Sequence, residues 1–486
     1  MPQLDRKKMY LSHFILKRLS LACVVSFAML SWIKMFLNNR RSPYDPNVVN
    51  EDDYLWKWTN LDPRDSNFQY IPTLGLHVYT HSAIAAEDQA GNQATLVLGL
   101  WNRTLTVIPE FLCLQYIQGG HATVEKGQMQ TIPQRDTQLL FTLHPVLLWC
   151  KESSVNAEAA PSVVRISDQS SIGSIVVMNM EHKGNATNPA KMPQGLSKAI
   201  NIKQRRPHAA LKNTVVVCTR QMYNYRSAQT FAEWMEMQRL MGANRVIIYD
   251  YRNVSAQVES LVDYYQRIGF LHVQPWKHTF TSSTNANHDA DVLVDAQYLS
   301  NNDCLYRFGQ EYEYLLMMDL DELLIPSRDT GVPQRYIKLI QYILNSAARE
   351  NSYQNAYLKF QLCHFCVSHY VWDSPDSELQ IEKYTMRDNP HGPHTRTKFI
   401  AQGSKTSMVG VHTVIDTREK WSKFTQISVS PNIAKIHHYR KRFKSDLNIC
   451  DIKDQSSERF VPDLRQRVES VLKQSSYVTP GNNNKL

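Results

Sequence analysis

The chain has 486 residues, 43% of them apolar, and carries a formal charge of +9. That length is enough for two or three domains with real hydrophobic cores. Eight basic residues against Asp5 place +7 of the charge within residues 1–41 and leave +2 for everything after, which removes the case for nucleic-acid binding by the body of the protein.

Residues 1–18 form a basic flank that reads as a cytosolic tail. After Lys17 and Arg18 comes an uncharged apolar stretch, Leu19–Ile33, which continues past Lys34 through Met35-Phe36-Leu37. About twenty residues are needed to cross a bilayer core of about 30 Å, so 19–37 is a short span suited to the thin membranes of the early secretory route. The positive flank keeps the N-terminus cytosolic, and no small-x-small cleavage site follows. The reading is a signal anchor of a single-pass type II protein of the Golgi membrane, rather than a cleaved signal peptide or a buried helix. Three glycosylation triplets, beginning at Asn102, Asn185 and Asn253, fit a lumenal body. Seven of the eight cysteines lie beyond the span, an odd number that leaves at least one free or paired between chains. The Cys363-His364-Phe365-Cys366 segment is a lone CxxC without two further ligands at zinc-finger spacing, so its cysteines are assigned to structural disulfides.

Residues 38–70 are polar and proline-bearing and read as a stem. Over 71–205, short strand-like runs recur between turn residues: Leu76–Tyr79, Ala94–Leu100, Phe111–Ile117, Leu139–Leu143, Val146–Trp149, Val163–Ile166 and Ser174–Met178. This predicts a small antiparallel sandwich or barrel, followed by a linker over 181–209. From 206 to 450 the pattern alternates. Strands are expected at Thr214–Cys218, Arg245–Asp250 and Phe270–Val273, and helices at Ala228–Leu240, Val258–Ile268, around Ala296–Phe308 and at Pro333–Ala348. Later strands are expected at Ala356–Leu362, Lys398–Ile400, Thr406–Val411 and Ala434–His438. The alternation implies right-handed βαβ crossovers and a mostly parallel sheet in an α/β domain. Residues 451–486 read as a C-terminal tail.

The chemistry concentrates at Tyr314–Pro326, where an apolar run delivers Asp319-Leu320-Asp321-Glu322. A fully apolar run suits a strand buried on both faces, and ligands of open α/β sheets bind beyond the carboxyl ends of such strands. In an extended segment the period of two would put Asp319 and Asp321 on one side, where they could hold a divalent cation that clamps a diphosphate.

Val215-Val216-Val217-Cys218, Glu233-Trp234, Val246–Asp250, Asn302–Arg307, Met318–Pro326, Val409-Gly410-Val411-His412 and His438-Tyr439-Arg440 occur in an order that resembles glycosyltransferase family 92, over roughly residues 212–450. The resemblance implies a GT-A fold, a UDP-sugar donor (UDP-galactose where known), a Mn²⁺ requirement and inversion at the anomeric carbon. Plant members of that family also carry an N-terminal β-sandwich. By the same resemblance Asp321 is a direct metal ligand, with Asp319 on the metal through water or on the ribose. A GT-A metal site takes a third ligand from the C-terminal part, here His438 or His412, with His438 preferred. Arg440 and Lys441 would neutralise the leaving diphosphate. Thr219 and Arg220 sit at a strand end where the uracil would lie. Tyr249 and Asp250 either reach the base and ribose or simply pack and cap. Analogy with the fold pairs Cys218 with Cys304. Inversion needs a general base on the acceptor side, assigned to Asp373 among the loop carboxylates. The partners are then a nucleotide sugar, a glycan acceptor and a membrane, with room for a homodimer. Two rival readings stand: a non-catalytic lumenal glycan-binding protein with a degenerate GT-A domain, and a metal-dependent enzyme acting on phosphate esters. Both carboxylates being present opposes the first. The second lacks a P-loop or a His-x-x-x-His pair.

Overall fold

In a computed structural model of the chain, the described residues run from 66 to 476, except 105–107, 118–120, 135–140, 152–160, 169–199, 202–209, 279–281, 284–291, 294–295, 329–330, 351–354, 368–378, 419–424 and 442–449. The expected anchor at 19–37, most of the stem, the strand expected at Ser174–Met178 and the base candidate Asp373 lie outside the described residues. Among the described residues no helix is long and apolar enough to cross a membrane.

Among the described residues, those from 66 to 201 form only strands: β1 (Phe68–Ile71), β2 (Leu76–Tyr79), β3 (Ile84–Glu87), β4 (Gln93–Asn102), β5 (Leu112–Ile117), β6 (His121–Lys126), β7 (Gln128–Thr131), β8 (Leu143–Lys151), β9 (Pro161–Ser167) and β10 (Ile200–Asn201). They form two antiparallel sheets. One runs β1-β2-β4-β8-β7 with β3 also on β4, and the other runs β10-β9-β5-β6. The two strands expected at Leu139–Leu143 and Val146–Trp149 are replaced by the single β8, which pairs along its whole length with β4. Both β4 and β8 are apolar on both faces because both faces are covered. Val97, Val146, Leu148 and Cys150 face the smaller sheet, while Leu96, Leu98, Leu147 and Trp149 face the second half of the chain. Cys113 on β5 and Cys150 on β8 are bonded across the two sheets, closing a separation of 37 residues. Loop closure of that length stabilises by about 4 kcal/mol. Replacing both cysteines by Ala should lower the urea midpoint accordingly, and an unchanged midpoint would show that the shared core alone holds the sheets together.

The second half is mixed α/β. Its elements are β11 (Leu211–Cys218), β12 (Met222–Tyr223), α1 (Ala228–Leu240), β13 (Arg245–Tyr249), β14 (Tyr251–Arg252), α2 (Ala256–Arg267), β15 (Leu271–Gln274), β16 (Ser282–Ser283), β17 (Val292–Leu293), α3 (Gln297–Phe308), β18 (Tyr312–Met317), β19 (Glu322–Pro326), α4 (Tyr336–Glu350), β20 (Asn355–Phe360), β21 (Leu362–Val367), α5 (Gln380–Lys383), β22 (Met386–Arg387), β23 (Lys398–Gln402), β24 (Thr406–Val409), β25 (Val414–Thr417), β26 (Thr425–Val429), β27 (Ala434–Lys441), β28 (Ile452–Lys453) and α6 (Val461–Ser476). Local chemistry explains the helix boundaries. Ser227 and Ser255 accept backbone N–H bonds at the starts of α1 and α2. Gly242 and Gly269 adopt φ of 83° and 73° just past their ends.

The main sheet has the order β15-β13-β11-β18-β23-β20-β26. Its first four strands are parallel, β23 runs antiparallel between β18 and β20, and β26 is parallel to β20. Apolar residues on one face pack under α1, α2 and α4. The other face shares a cluster with α3 and the sandwich sheet, including Trp149 edge-on to Tyr306. Polar links cross the same seam: Arg307 donates to the His81 carbonyl at 2.7 Å, and Arg418 to the Glu87 carbonyl at 2.9 Å. Cys218 and Cys304 are bonded, tying the end of β11 to α3.

A second sheet, β19-β27-β21-β22-β28, begins where the first one leaves off. Residues 451–476 are not a tail. β28 pairs with β22, and α6 buries Leu464, Val468 and Val471 in the core shared with α1 and α2. The tail reading rested on polarity, but the apolar positions of α6 recur at helical spacing and fill a groove that only the assembled sheet provides. The CxxC also resolves differently from a local bridge. Residues three apart on a strand face opposite ways, so Cys366 bonds Cys450 while Cys363 stays a buried free thiol, its pKa pushed up to about 11 chiefly by burial.

Candidate active site

The apolar run ends as expected, and then the chain turns. β18 stops at Met317, Glu322 N–H donates to the Asp319 carbonyl at 3.2 Å, and β19 departs into the second sheet. Asp319 and Asp321 are therefore brought near each other by a turn and not by strand alternation. The turn faces the carboxyl ends of β11 and β13, since Cys218 is in register with both Ile247 and Met317.

The two aspartates have different partners. Asp319 Oδ2 lies 2.8 Å from Lys398 Nζ, and its Oδ1 accepts from Gln297 Nε2 at 3.0 Å. Lys398 also reaches Glu322 Oε2 at 3.1 Å, and that oxygen accepts the Asp319 N–H at 3.0 Å. Burial alone would raise the Asp319 pKa, but Lys398 and Arg220 hold it far below the usual carboxylate range. Glu322 is raised, because burial and the neighbouring aspartates outweigh Lys398. Asp321 turns the other way. Its Oδ2 lies 2.9 Å from His438 Nε2, and its carbonyl accepts the Tyr439 N–H. Antiparallel pairing of β19 with β27 sets Glu322 directly opposite His438. Burial opposes charge on His438, but Asp321 prevails and raises its pKa. Ligand atoms of Asp321, Glu322 and His438 lie within 4.8 Å of one another. Two carboxylates and an imidazole make an oxygen-rich donor set that fits a divalent cation such as Mn²⁺.

Of the two histidines considered, His438 joins this group and His412 does not. His412 Nδ1 is 3.0 Å from the Thr397 carbonyl, and its pKa falls to about 4 through burial and the charge of Lys398. It remains neutral, beside Lys398 and Asp319. Arg220 contributes positive potential at both aspartates. Thr219 is buried at the mouth of β11, its N–H bonded to the Ile247 carbonyl and its hydroxyl without a hydrogen-bond partner among the described residues.

Asp250 takes a left-handed backbone, φ 64°, and its carboxylate accepts from Tyr251 N–H and Arg252 Nε. Tyr249 donates to Asp303 Oδ2 at 2.7 Å inside the core, and Asp303 in turn pairs with Arg307. Tyr249 thus packs in the core with its hydroxyl engaged, while Asp250 is paired with Arg252 and caps no helix, Ser255 being the N-cap of α2. Arg440 follows His438 on β27, close enough to oppose its protonation, and Lys441 ends the same strand.

The sequence did not single out Lys398 or Gln297; for Glu322 it left open a loop-positioning role and a contact with substrate, and in the structure its Oε2 accepts the Asp319 N–H of the turn. Lys398 opens an ordinary-looking strand 79 residues from Asp319, and its importance comes from β23 lying beside β18. Glu233 and Trp234 also act from a distance. Trp234 Nε1 donates to the Glu322 carbonyl at 2.9 Å, fixing α1 to the site strand. Glu233 accepts the N–H groups of Gln380 and Ile381, and burial pushes its pKa up to about 7.

The profile of glycosyltransferase family 92 matches residues 213–475, just over half of the chain. Three glycosyltransferase family 92 proteins of Caenorhabditis elegans are similar to it, at 22% identity over 134 residues, 20% over 240 and 26% over 143. The matched stretches take in 26%, 46% and 28% of this chain and only 25%, 42% and 27% of those relatives. A crystal structure of an active-site mutant of LgtC is matched at 11% identity over 55% of this chain and 98% of that one, with a TM-score of 0.24, too slight a likeness to argue from.

Proposed function

The chain belongs to glycosyltransferase family 92, and from that premise we propose that it is a metal-dependent inverting glycosyltransferase that moves a sugar, galactose from UDP-galactose, onto a glycan acceptor. The observation that carries this reading is the convergence of Asp321, Glu322 and His438 at the carboxyl edge of β11, β13 and β18, next to Asp319 and Arg220. A divalent cation held there supplies a Lewis acid that stabilises the diphosphate leaving group. Asp321 and His438 would hold it, with Glu322 completing the set and Asp319 kept ionised beside it by Lys398. Arg220 and Arg440 add positive charge where the phosphates lose the sugar. Thr219 lies at the strand end that would receive the base. Asp373 accepts the proton of the acceptor hydroxyl as the bond to the sugar forms, and the departing group leaves on the opposite face.

In this reading residues 19–37 anchor the protein in the Golgi membrane with the catalytic half in the lumen. The three disulfides among the described residues fit such an oxidising compartment. The test is a screen of UDP-sugars and glycan acceptors with the purified full chain, run with Mn²⁺ and with EDTA. Metal-dependent release of UDP from one donor is the expected result. Failure of every nucleotide sugar to bind or turn over, with Mn²⁺ present, would leave the glycan-binding alternative in its place.

A further inference from the structure

A second group of ligating side chains, which the proposed reaction does not use, gathers beside β21. His364 lies on it, between Cys363 and Cys366, in parallel register with His438 on β27. After β22 the chain folds back along the same strand. Asp388 N–H donates to the His364 carbonyl at 3.1 Å, His364 N–H to Asp388 Oδ1 at 2.7 Å, and His391 N–H to the Leu362 carbonyl at 2.8 Å. These backbone bonds aim both side chains at His364. Three atoms then close a triangle: His364 Nδ1 to His391 Nε2 at 2.8 Å, His364 Nδ1 to Asp388 Oδ2 at 3.0 Å, and His391 Nε2 to Asp388 Oδ2 at 3.2 Å.

Three hydrogen bonds cannot account for that triangle. Each ring nitrogen carries either a proton or a lone pair. With Asp388 ionised, two protons aimed at Oδ2 leave the nitrogens facing each other N–H to N–H. One proton shared between the rings leaves a lone pair facing the carboxylate. In either case one edge is repulsive. A cation near the middle makes all three lone pairs attractive at once. Asp388 Oδ1 is held by the His364 N–H, which turns Oδ2 toward the two ring nitrogens, as outer contacts do at metal centres. The side chains of His364 and Asp388 are 3% and 6% exposed, whereas that of His391 is 26% exposed and opens the group to solvent.

We infer that His364, Asp388 and His391 form a zinc site, distinct from the carboxylate-rich group at Asp321 and adjoining it through the His364 and His438 rings, whose centroids are 5.1 Å apart. Two imidazoles and one carboxylate form the softer of the two donor sets and match the three-ligand, one-water arrangement of zinc. Zinc bonds of about 2.0–2.2 Å in a tetrahedron separate ligand atoms by about 3.4 Å, so the triangle needs to open by only a few tenths of an ångström. Such a site would fasten residues 388–391 to β21, upstream of the strand that carries Lys398.

The test is metal uptake by the chelator-treated full chain, titrated with Zn²⁺ and with Co²⁺ as a spectroscopic stand-in. Wild type should retain one equivalent of zinc against excess Mn²⁺ and give the intense visible bands of tetrahedral cobalt. His391→Ala and Asp388→Asn, checked as folded by circular dichroism, should each weaken zinc binding by at least about 100-fold and lose those bands. Asp321→Asn should keep both. No zinc retained by wild type, undiminished binding by folded His391→Ala, or loss of zinc in Asp321→Asn would each overturn the assignment. Mn²⁺ binding, read in the same proteins, reports separately on the Asp321 group.

Discussion

Asp321→Asn is expected to abolish sugar transfer in a protein that still folds. The substitution removes the charge that pairs with His438 at 2.9 Å and takes one carboxylate out of the three-ligand group. A cation that offsets charge on a leaving diphosphate is worth several kcal/mol of transition-state stabilisation. A fall in kcat/KM of roughly 10³-fold or more follows, equivalent to about 4 kcal/mol. The fold should survive because the backbone ties are untouched: the residue 321 carbonyl still accepts the Tyr439 N–H, and β19 still pairs with β27. Release of UDP at saturating Mn²⁺, measured beside a thermal melt, separates the two effects. Turnover close to wild type in Asp321→Asn, with or without metal, would refute the placement of the catalytic cation.

Lys398→Met should instead act first on stability. The ammonium lies 2.8 Å from Asp319 and 3.1 Å from Glu322, and its side chain is 1% exposed. Methionine fills a similar volume but leaves two carboxylates together in a site that burial already disfavours for charge. Removing one partner of a buried pair costs about 3–5 kcal/mol. For a domain of this size that corresponds to a Tm lower by roughly 10 °C. The deficit should depend on pH with a definite sign. Glu322 already has a raised pKa, chiefly from burial, and loses in the variant the cation that restrained the rise. A carboxyl whose folded pKa exceeds its unfolded one is stabilising at low pH and loses that contribution as pH climbs through the folded value. The gap between variant and wild type should therefore be smaller at pH 5 than at pH 8. A gap that is constant, or wider in acid, would mean that Lys398 is not balancing these carboxylates.

The sequence alone determined the local elements and the place where chemistry gathers. Val215–Cys218, Val246–Tyr249 and Leu315–Met317 are apolar without interruption because strands covered on both faces must be. The serines before α1 and α2 and the glycines after them mark the helix ends through contacts only a few residues apart. Those signals were enough to place Asp319 and Asp321 at the mouth of a sheet. The tertiary structure decided what they meet. A tight turn, not an extended strand, brings them near each other and aims them at different partners. Lys398 neutralises Asp319 because an antiparallel strand inserts next to β18, and His438 reaches Asp321 across 117 residues because β27 pairs with β19. His364 meets Asp388 and His391 only once the chain has folded back along β21. Propensity and capping depend on near neighbours and can be read along the chain. The partners of a buried charge depend on the order of strands in a sheet, which single-residue patterns do not encode.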